Sequence, residues 1–113
     1  MVAVEAYVPN RGDVVWISLH PQMGREQAGR RPALVLSPAS YNAKVGLAIF
    51  CPITSRVKGY PFEVAIRGIE VRGVVLADQI RSLDWRARQV AFLERAPDGA
   101  IANVLAMVSA LLA

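Results

Sequence analysis

Asn10-Arg11-Gly12-Asp13-Val14-Val15-Trp16-Ile17-Ser18-Leu19 is a turn-like tetrapeptide followed by a short, apolar, β-branched run. That pattern reads as a strand, and it recurs downstream. Pro32-Ala33-Leu34-Val35-Leu36 is a second strand, ended by Ser37-Pro38. Residues 46–54 contain a third, Leu47-Ala48-Ile49-Phe50-Cys51, which is expected to stop near Pro52. Phe62-Glu63-Val64-Ala65-Ile66 alternates and predicts a fourth. Val74-Val75-Leu76-Ala77, opened by Gly73, predicts a fifth, and Gln89-Val90-Ala91-Phe92-Leu93 a sixth. Short strands separated by turn signals imply a small barrel or sandwich, not a parallel sheet with crossover helices.

The period changes only at the C-terminus. Pro97 fits the first helical position, and Asp98 suits a helix start by its charge. Ile101, Val104, Leu105, Val108, Leu111 and Leu112 then recur at helical spacing. The opposite side, Ala100, Ala102, Asn103, Ala106, Ser109 and Ala110, carries no charge. A helix with one face in water usually shows charges there, so this one is expected to be covered on both sides. Two readings stay open. It is a core helix with a small-residue outer face, or its Ala and Ser residues admit a second subunit.

The chain has 113 residues, the size of one domain spanning 1–113. At 54% hydrophobic and 19% charged it is apolar enough to fold around its own core. Thirteen Lys+Arg against nine Asp+Glu leave a net charge of +4, and eleven of the thirteen bases are Arg. Arg suits forked contacts to phosphate and carboxylate, so the balance points modestly towards polyanions. A lone Cys51 excludes an internal disulfide. One Cys and one His exclude a His/Cys zinc cage and a two-His nuclease. No metal or other cofactor is therefore expected, and any chemistry falls to Arg, Lys, Thr, Ser, Tyr or carboxylates. No signal-peptide pattern opens the chain, and no apolar stretch reaches the roughly 20 residues of a membrane helix. These features predict a cytoplasmic protein with no membrane association.

Polar groups concentrate near strand ends. The long polar loop 20–31 contains Glu26-Gln27-Ala28-Gly29-Arg30-Arg31 before Pro32. Pro32 biases Arg31 towards an extended conformation, at the mouth of a strand. Adjacent residues of a strand point to opposite faces, so Arg30 and Arg31 should not share a role. Cys51-Pro52-Ile53-Thr54-Ser55-Arg56 ends a strand in two hydroxyls and a base. Residues 55–61 form a basic turn, and in Leu76-Ala77-Asp78-Gln79-Ile80-Arg81-Ser82 polar residues interrupt an apolar run. Trp85-Arg86-Ala87-Arg88 reads either as a nucleic-acid contact or as a core Trp flanked by solvated bases. These features fit an oligonucleotide binder or a metal-free nuclease and do not choose between them.

Taken as an ordered set, the segments resemble the MazF/PemK family of toxin endoribonucleases. Tyr7-Val8-Pro9, Gly12-Asp13-Val14-Val15-Trp16, Glu26-Gln27-Ala28-Gly29, Arg31-Pro32-Ala33 and Val35-Leu36-Ser37-Pro38 carry the first half of the likeness. Tyr41-Asn42, Cys51-Pro52 with Thr54, Lys58-Gly59-Tyr60-Pro61-Phe62-Glu63-Val64, Leu76-Ala77-Asp78-Gln79, and Ser82 with Trp85-Arg86-Ala87-Arg88 carry the second. The likeness runs from about Tyr7 to Arg88, and beyond Gln89 it is one of character only. Arg30 beside the matched Arg31 and the loop 20–25 depart from the pattern, which bears on the recognised RNA sequence.

The resemblance implies a mainly β fold, an SH3-like, CcdB-type barrel with a C-terminal helix, forming homodimers. It implies metal-independent, sequence-specific cleavage of single-stranded RNA to a 2′,3′-cyclic phosphate and a 5′-hydroxyl. It also implies neutralisation by a MazE-like antitoxin with an acidic segment. Its catalytic Arg falls on Arg31 and its catalytic Thr on Thr54. On this reading Arg31 clamps the phosphorane and Thr54 donates to a non-bridging oxygen. Glu26, or the RNA and water, takes the 2′ proton. Glu26, Gln27, Asn42, Lys58, Gln79 and Arg81 are expected to bind RNA, whose unpaired bases are read by stacking and edge hydrogen bonds. The rival expectation is a non-catalytic CcdB-like or RNA-binding module.

Overall fold

A computed structural model of the chain describes residues 7–18 and 29–113. The elements run β1 (Asp13–Ser18), β2 (Arg30–Val35), α1 (Ala39–Val45), β3 (Leu47–Thr54), β4 (Glu63–Arg67), β5 (Arg72–Leu76), β6 (Arg81–Asp84), β7 (Ala91–Arg95) and α2 (Asp98–Leu112). The strands form one antiparallel, curled sheet in the order β4-β5-β3-β2-β1-β7, and β6 pairs with β3. Among the described residues no ladder joins β4 to β7, so the curl is an incompletely closed barrel.

β3 is the spine of this arrangement. Cys51 and its neighbours pair with β2 along one edge. On the other edge β3 pairs first with β6, up to Phe50 opposite Arg81, and then with β5, from Ile53 opposite Val75. Pro52 sits at the handover between the two partners. Its missing N–H falls where the pairing changes, so the strand continues to Thr54 instead of stopping at the proline as the sequence predicts.

The apolar runs are continuous because the central strands are buried on both faces. Val14, Leu34, Leu36, Cys51 and Ile53 pack with Val64, Ile66, Val75 and the helix residues Ala100 and Val104. The alternate residues Val15, Ile17, Ala33, Val35, Ala48 and Phe50 pack with Trp85. The indole N–H of Trp85 donates to the Asn42 carbonyl at 3.0 Å, which assigns Trp85 to the core.

The expected sixth strand is displaced two residues, to Ala91–Arg95. Residues 85–90 instead close a turn in which Gln89 takes φ 55° and the Val90 N–H donates to the Trp85 carbonyl. Two elements are not expected from the sequence. β6 is a polar strand with little apolar alternation. α1 has seven residues between Pro38 and Gly46, and Gly46 ends it in the left-handed region at φ 82°.

α2 begins at Asp98, with Pro97 as its cap and not its first helical residue. Its inner face corrects the expectation in part. Ala100 is buried, whereas Leu111 and Leu112 are exposed. Ala102, Asn103, Ala106, Ser109 and Ala110 lie on the outer side, and the helix is covered on one side only within this chain.

Candidate active site at the ends of β2 and β3

Strand register brings Arg31 and Thr54 together. Ala33 faces Pro52 across the β2–β3 ladder. Moving two residues outward on each strand, from 33 to 31 and from 52 to 54, sets Arg31 across from Thr54 on the same face. Both line a cavity of about 710 Å³, together with Ser55, Arg56, Glu70 and Arg72. Arg31 is exposed, and its Nη1 donates to the Arg30 carbonyl at 3.2 Å. Thr54 is half-buried, and its Oγ1 accepts the Arg56 N–H at 3.1 Å. With one lone pair occupied in this way, the hydroxyl proton of Thr54 is left to be donated elsewhere.

Arg30 takes the other side of β2. It pairs with Ser18, and its guanidinium carbon lies 5.8 Å from the Trp16 ring centroid. This is a cation–π arrangement, and Arg30 is not among the residues that line the cavity. Alternation thus turns the two side chains apart, with Arg30 behind Trp16, which itself lines the cavity.

Two further hollows adjoin. One, of about 60 Å³, has Ile17, Phe50 and Leu83 among its lining residues, with Arg31, Gln79 and Arg81. The other, of about 180 Å³, is lined by Thr54, Arg56, Lys58, Tyr60 and Gln79 among others. Gln79 belongs to both, so Arg31, Thr54, Lys58, Gln79 and Arg81 gather in one region. The turn carrying Lys58 is held by Glu63, whose carboxylate accepts the Lys58 and Gly59 N–H groups at 3.0 and 2.8 Å.

Asn42 is a correction. It lies on α1, fully buried. Its amide donates to the Pro9 and Ser37 carbonyls at 2.7 and 3.0 Å, and its oxygen accepts from Ser37 Oγ at 2.5 Å. A buried amide with its donors and acceptor engaged fixes the chain and offers nothing to RNA. Glu26 and Gln27, with the rest of the loop from 19 to 28, lie outside the described residues.

The structure adds Glu70 and Arg72, where the chain turns from β4 into β5, to the cavity wall. That turn is pinned by Glu94 of β7, whose carboxylate accepts the N–H groups of Ile69, Glu70 and Val71 at 2.7–2.9 Å. Glu94 stands 23 to 25 residues away in sequence, so no local motif announces the contact.

Cys51 is no nucleophile. Burial, with a smaller contribution from the Asp78 charge, pushes its thiol up to about 12, so it stays protonated at neutral pH. Desolvation, then the Asp78 and Glu63 carboxylates, also hold the Tyr60 phenol above its ordinary value. Among the described residues no cluster of His, Cys, Asp and Glu is grouped to hold a metal ion.

The fold and the site together define a small curled β-barrel that presents arginine and hydroxyl groups to an open basic cavity at its strand ends. The family model of PemK-like, MazF-like toxins of type II toxin–antitoxin systems matches residues 10–112, and the chain belongs to that family. It is 54% identical over 85 residues to the endoribonuclease toxin MazF of Escherichia coli K12, covering 75% of this chain and 77% of that one. The crystal structure of MazF from Deinococcus radiodurans superposes with a TM-score of 0.84 at 55% identity, over 95% of this chain and 98% of that one. A MazE–MazF crystal structure from the same organism gives a TM-score of 0.83 at 51% identity, over 95% and 97%.

Proposed function

We propose that this chain is the single-domain endoribonuclease toxin of a toxin–antitoxin pair, cutting single-stranded RNA without a metal ion. The observation that carries the reading is the convergence of Arg31 and Thr54 across the β2–β3 register in one basic cavity. The substrate's own 2′-oxygen attacks phosphorus, and the bond to the 5′-oxygen breaks, giving a 2′,3′-cyclic phosphate and a 5′-hydroxyl. Glu26, or the RNA and solvent water, accepts the 2′ proton as the new bond forms, and a proton reaches the departing 5′-oxygen. Such a reaction asks the protein for charge stabilisation more than for a nucleophile. Preorganised donors aimed at the developing phosphorane supply it. The Arg31 guanidinium clamps the phosphorane and protonates the leaving oxygen. The Thr54 hydroxyl, oriented by the Arg56 N–H, donates to a non-bridging oxygen.

Gln79, Lys58 and Arg81, ranged around this centre, suit contacts to unpaired bases and phosphates. The same cavity suits the acidic segment of a MazE-like antitoxin, which would exclude RNA by occupying the phosphate positions. The relative from Deinococcus radiodurans is found with MazE, which supports this pairing. No helix among the described residues is long and apolar enough to cross a membrane.

The experiment is incubation of the purified chain with a long single-stranded RNA in EDTA. Discrete fragments ending in cyclic phosphate are expected. Binding should weaken steeply with salt, because phosphate contacts release counterions, with a log–log slope of about −0.7 per contact for single strands. Intact RNA with tight binding would favour the non-catalytic module. Recovery of chelated protein by magnesium or manganese would remove the metal-free mechanism.

Two copies of the chain pair in this reading, through the face of α2 that the single chain leaves exposed. Ala106 and Ala110 line a hollow of about 510 Å³ beside β4, with Asn103 and Met107. Ala106→Glu and Ala110→Glu are expected to weaken the dimer and, with it, antitoxin affinity. Sedimentation velocity decides the point. If both variants remain dimeric at low micromolar concentration, the contact lies on the strands.

A further inference from the structure

Three arginines, Arg56, Arg72 and Arg67, border two adjoining hollows beside Thr54. Thr54 pairs with Val74. That pair ends β3, and the chain turns back at Arg56, whose N–H donates to Thr54 Oγ1, so that Arg56 borders the same cavity as Arg72 of β5. Arg72 is in turn the ladder partner of Arg67 on β4. Arg56, Arg72 and Arg67 are all exposed. Among the described residues none of the three guanidiniums has a hydrogen-bond or ion-pair partner. Arg56 and Arg72 line the Arg31–Thr54 cavity. Arg72 also lines the next hollow, of about 430 Å³, with Arg67, Val57 and Ala65. The row is thus continuous with the cavity and leads away from it.

Like charges directly opposite on neighbouring strands destabilise a sheet. A fold gains nothing from placing Arg67 against Arg72 with no acid between them, and an anion bridging the pair relieves the repulsion. Neighbouring strands lie roughly 4.8 Å apart, which sets the spacing of Arg72 and Arg67 across their ladder, and Arg56 meets Arg72 at the cavity wall.

We propose that the Arg56–Arg72–Arg67 row binds the sugar–phosphate backbone of single-stranded RNA beyond the scissile phosphate. The proposal rests on the nuclease reading for the identity of the polyanion. It adds a sequence-independent track that makes affinity depend on the length of RNA flanking the cleavage point. Phosphate contacts of this kind position a strand without reading its bases.

The test measures binding of 2′-O-methyl RNA, which cannot form the cyclic phosphate, so the outcome is independent of turnover. One oligonucleotide covers only the mapped cleavage motif, and a second extends it on both sides. The wild-type chain should bind the extended oligonucleotide more tightly and with a steeper salt slope. Arg67→Gln should erase part of that difference and make the slope shallower by about 0.7 for each phosphate that is no longer neutralised. Arg67→Lys, which keeps the charge, should retain most of it. The melting temperature of Arg67→Gln should hold or rise as the like-charge repulsion goes. An equal salt slope for wild type and Arg67→Gln on both lengths overturns the track. So does a variant that keeps its RNA affinity and instead loses affinity for polyglutamate, which would assign the row to an acidic protein segment. A wild-type chain that binds both oligonucleotides as expected but cuts no RNA would leave the track standing and remove the nuclease.

Discussion

Arg31→Ala is expected to lower RNA cleavage by about 100–1,000-fold, the usual cost of losing one preorganised charge-stabilising donor. The fold should survive, because Arg31 is exposed at the end of β2 and packs no core. Arg30→Ala provides the contrast. Its guanidinium lies over Trp16 and does not itself line the cavity, so its loss should leave the chemical step close to intact. Single-turnover rates with saturating RNA separate the two effects from binding. Near-normal turnover by a folded Arg31→Ala protein would take Arg31 out of the mechanism. An equally deep loss at Arg30 would mean that both side chains serve the same face.

Arg31 and Thr54 mark how much of the site is legible in the sequence. The strands carrying both residues stand out as apolar, β-branched runs because they are buried on two sides, and Pro32 marks the mouth of one. Their juxtaposition is a matter of register, which no local pattern encodes. Only the family resemblance pairs them from sequence, and the ladder from Ala33–Pro52 supplies the geometric reason. Lys58, Gln79 and Arg81 stand at turns and strand ends, which local patterns do reveal, and they adjoin the same cavity system.

Asn42 departs from expectation for the complementary reason. A polar residue after Tyr41 looks available in the sequence, but it lies on a short helix with too few turns to show a period. Pro38 before it and Gly46 after it are the signals that mark the ends of α1. Once the helix forms, the amide of Asn42 is the group that ties residues 9 and 37 together. β6 is hidden in the sequence because its residues are mostly exposed and do not alternate. Glu70 and Arg72 are hidden because the hairpin that carries them is brought to the cavity by Glu94, from the far edge of the sheet.

The same hairpin governs where Thr54 sits, through a residue with no side chain. Gly73 adopts φ 154°, a region that residues with a Cβ rarely occupy. A Cβ there would press on the Thr54 carbonyl oxygen, and would lie 2.9 Å from the Thr54 carbonyl carbon and 3.1 Å from Ser55 Cα. All three contacts are backbone atoms, so a rotamer change cannot relieve them, and the end of β3 must move. Gly73→Ala is therefore expected to lose about 1–3 kcal/mol of stability, the cost of holding a non-glycine residue in such a conformation. Displacing Thr54 by about 1 Å from its place opposite Arg31 is expected to cost about 100-fold in cleavage. Urea denaturation measures the first effect, and single-turnover cleavage well below the unfolding midpoint measures the second. A Gly73→Ala protein that unfolds earlier yet cleaves normally while folded would show that β3 yields without moving the Thr54 hydroxyl. One that retains both stability and rate would show that β5 does not set the position of Thr54 at all.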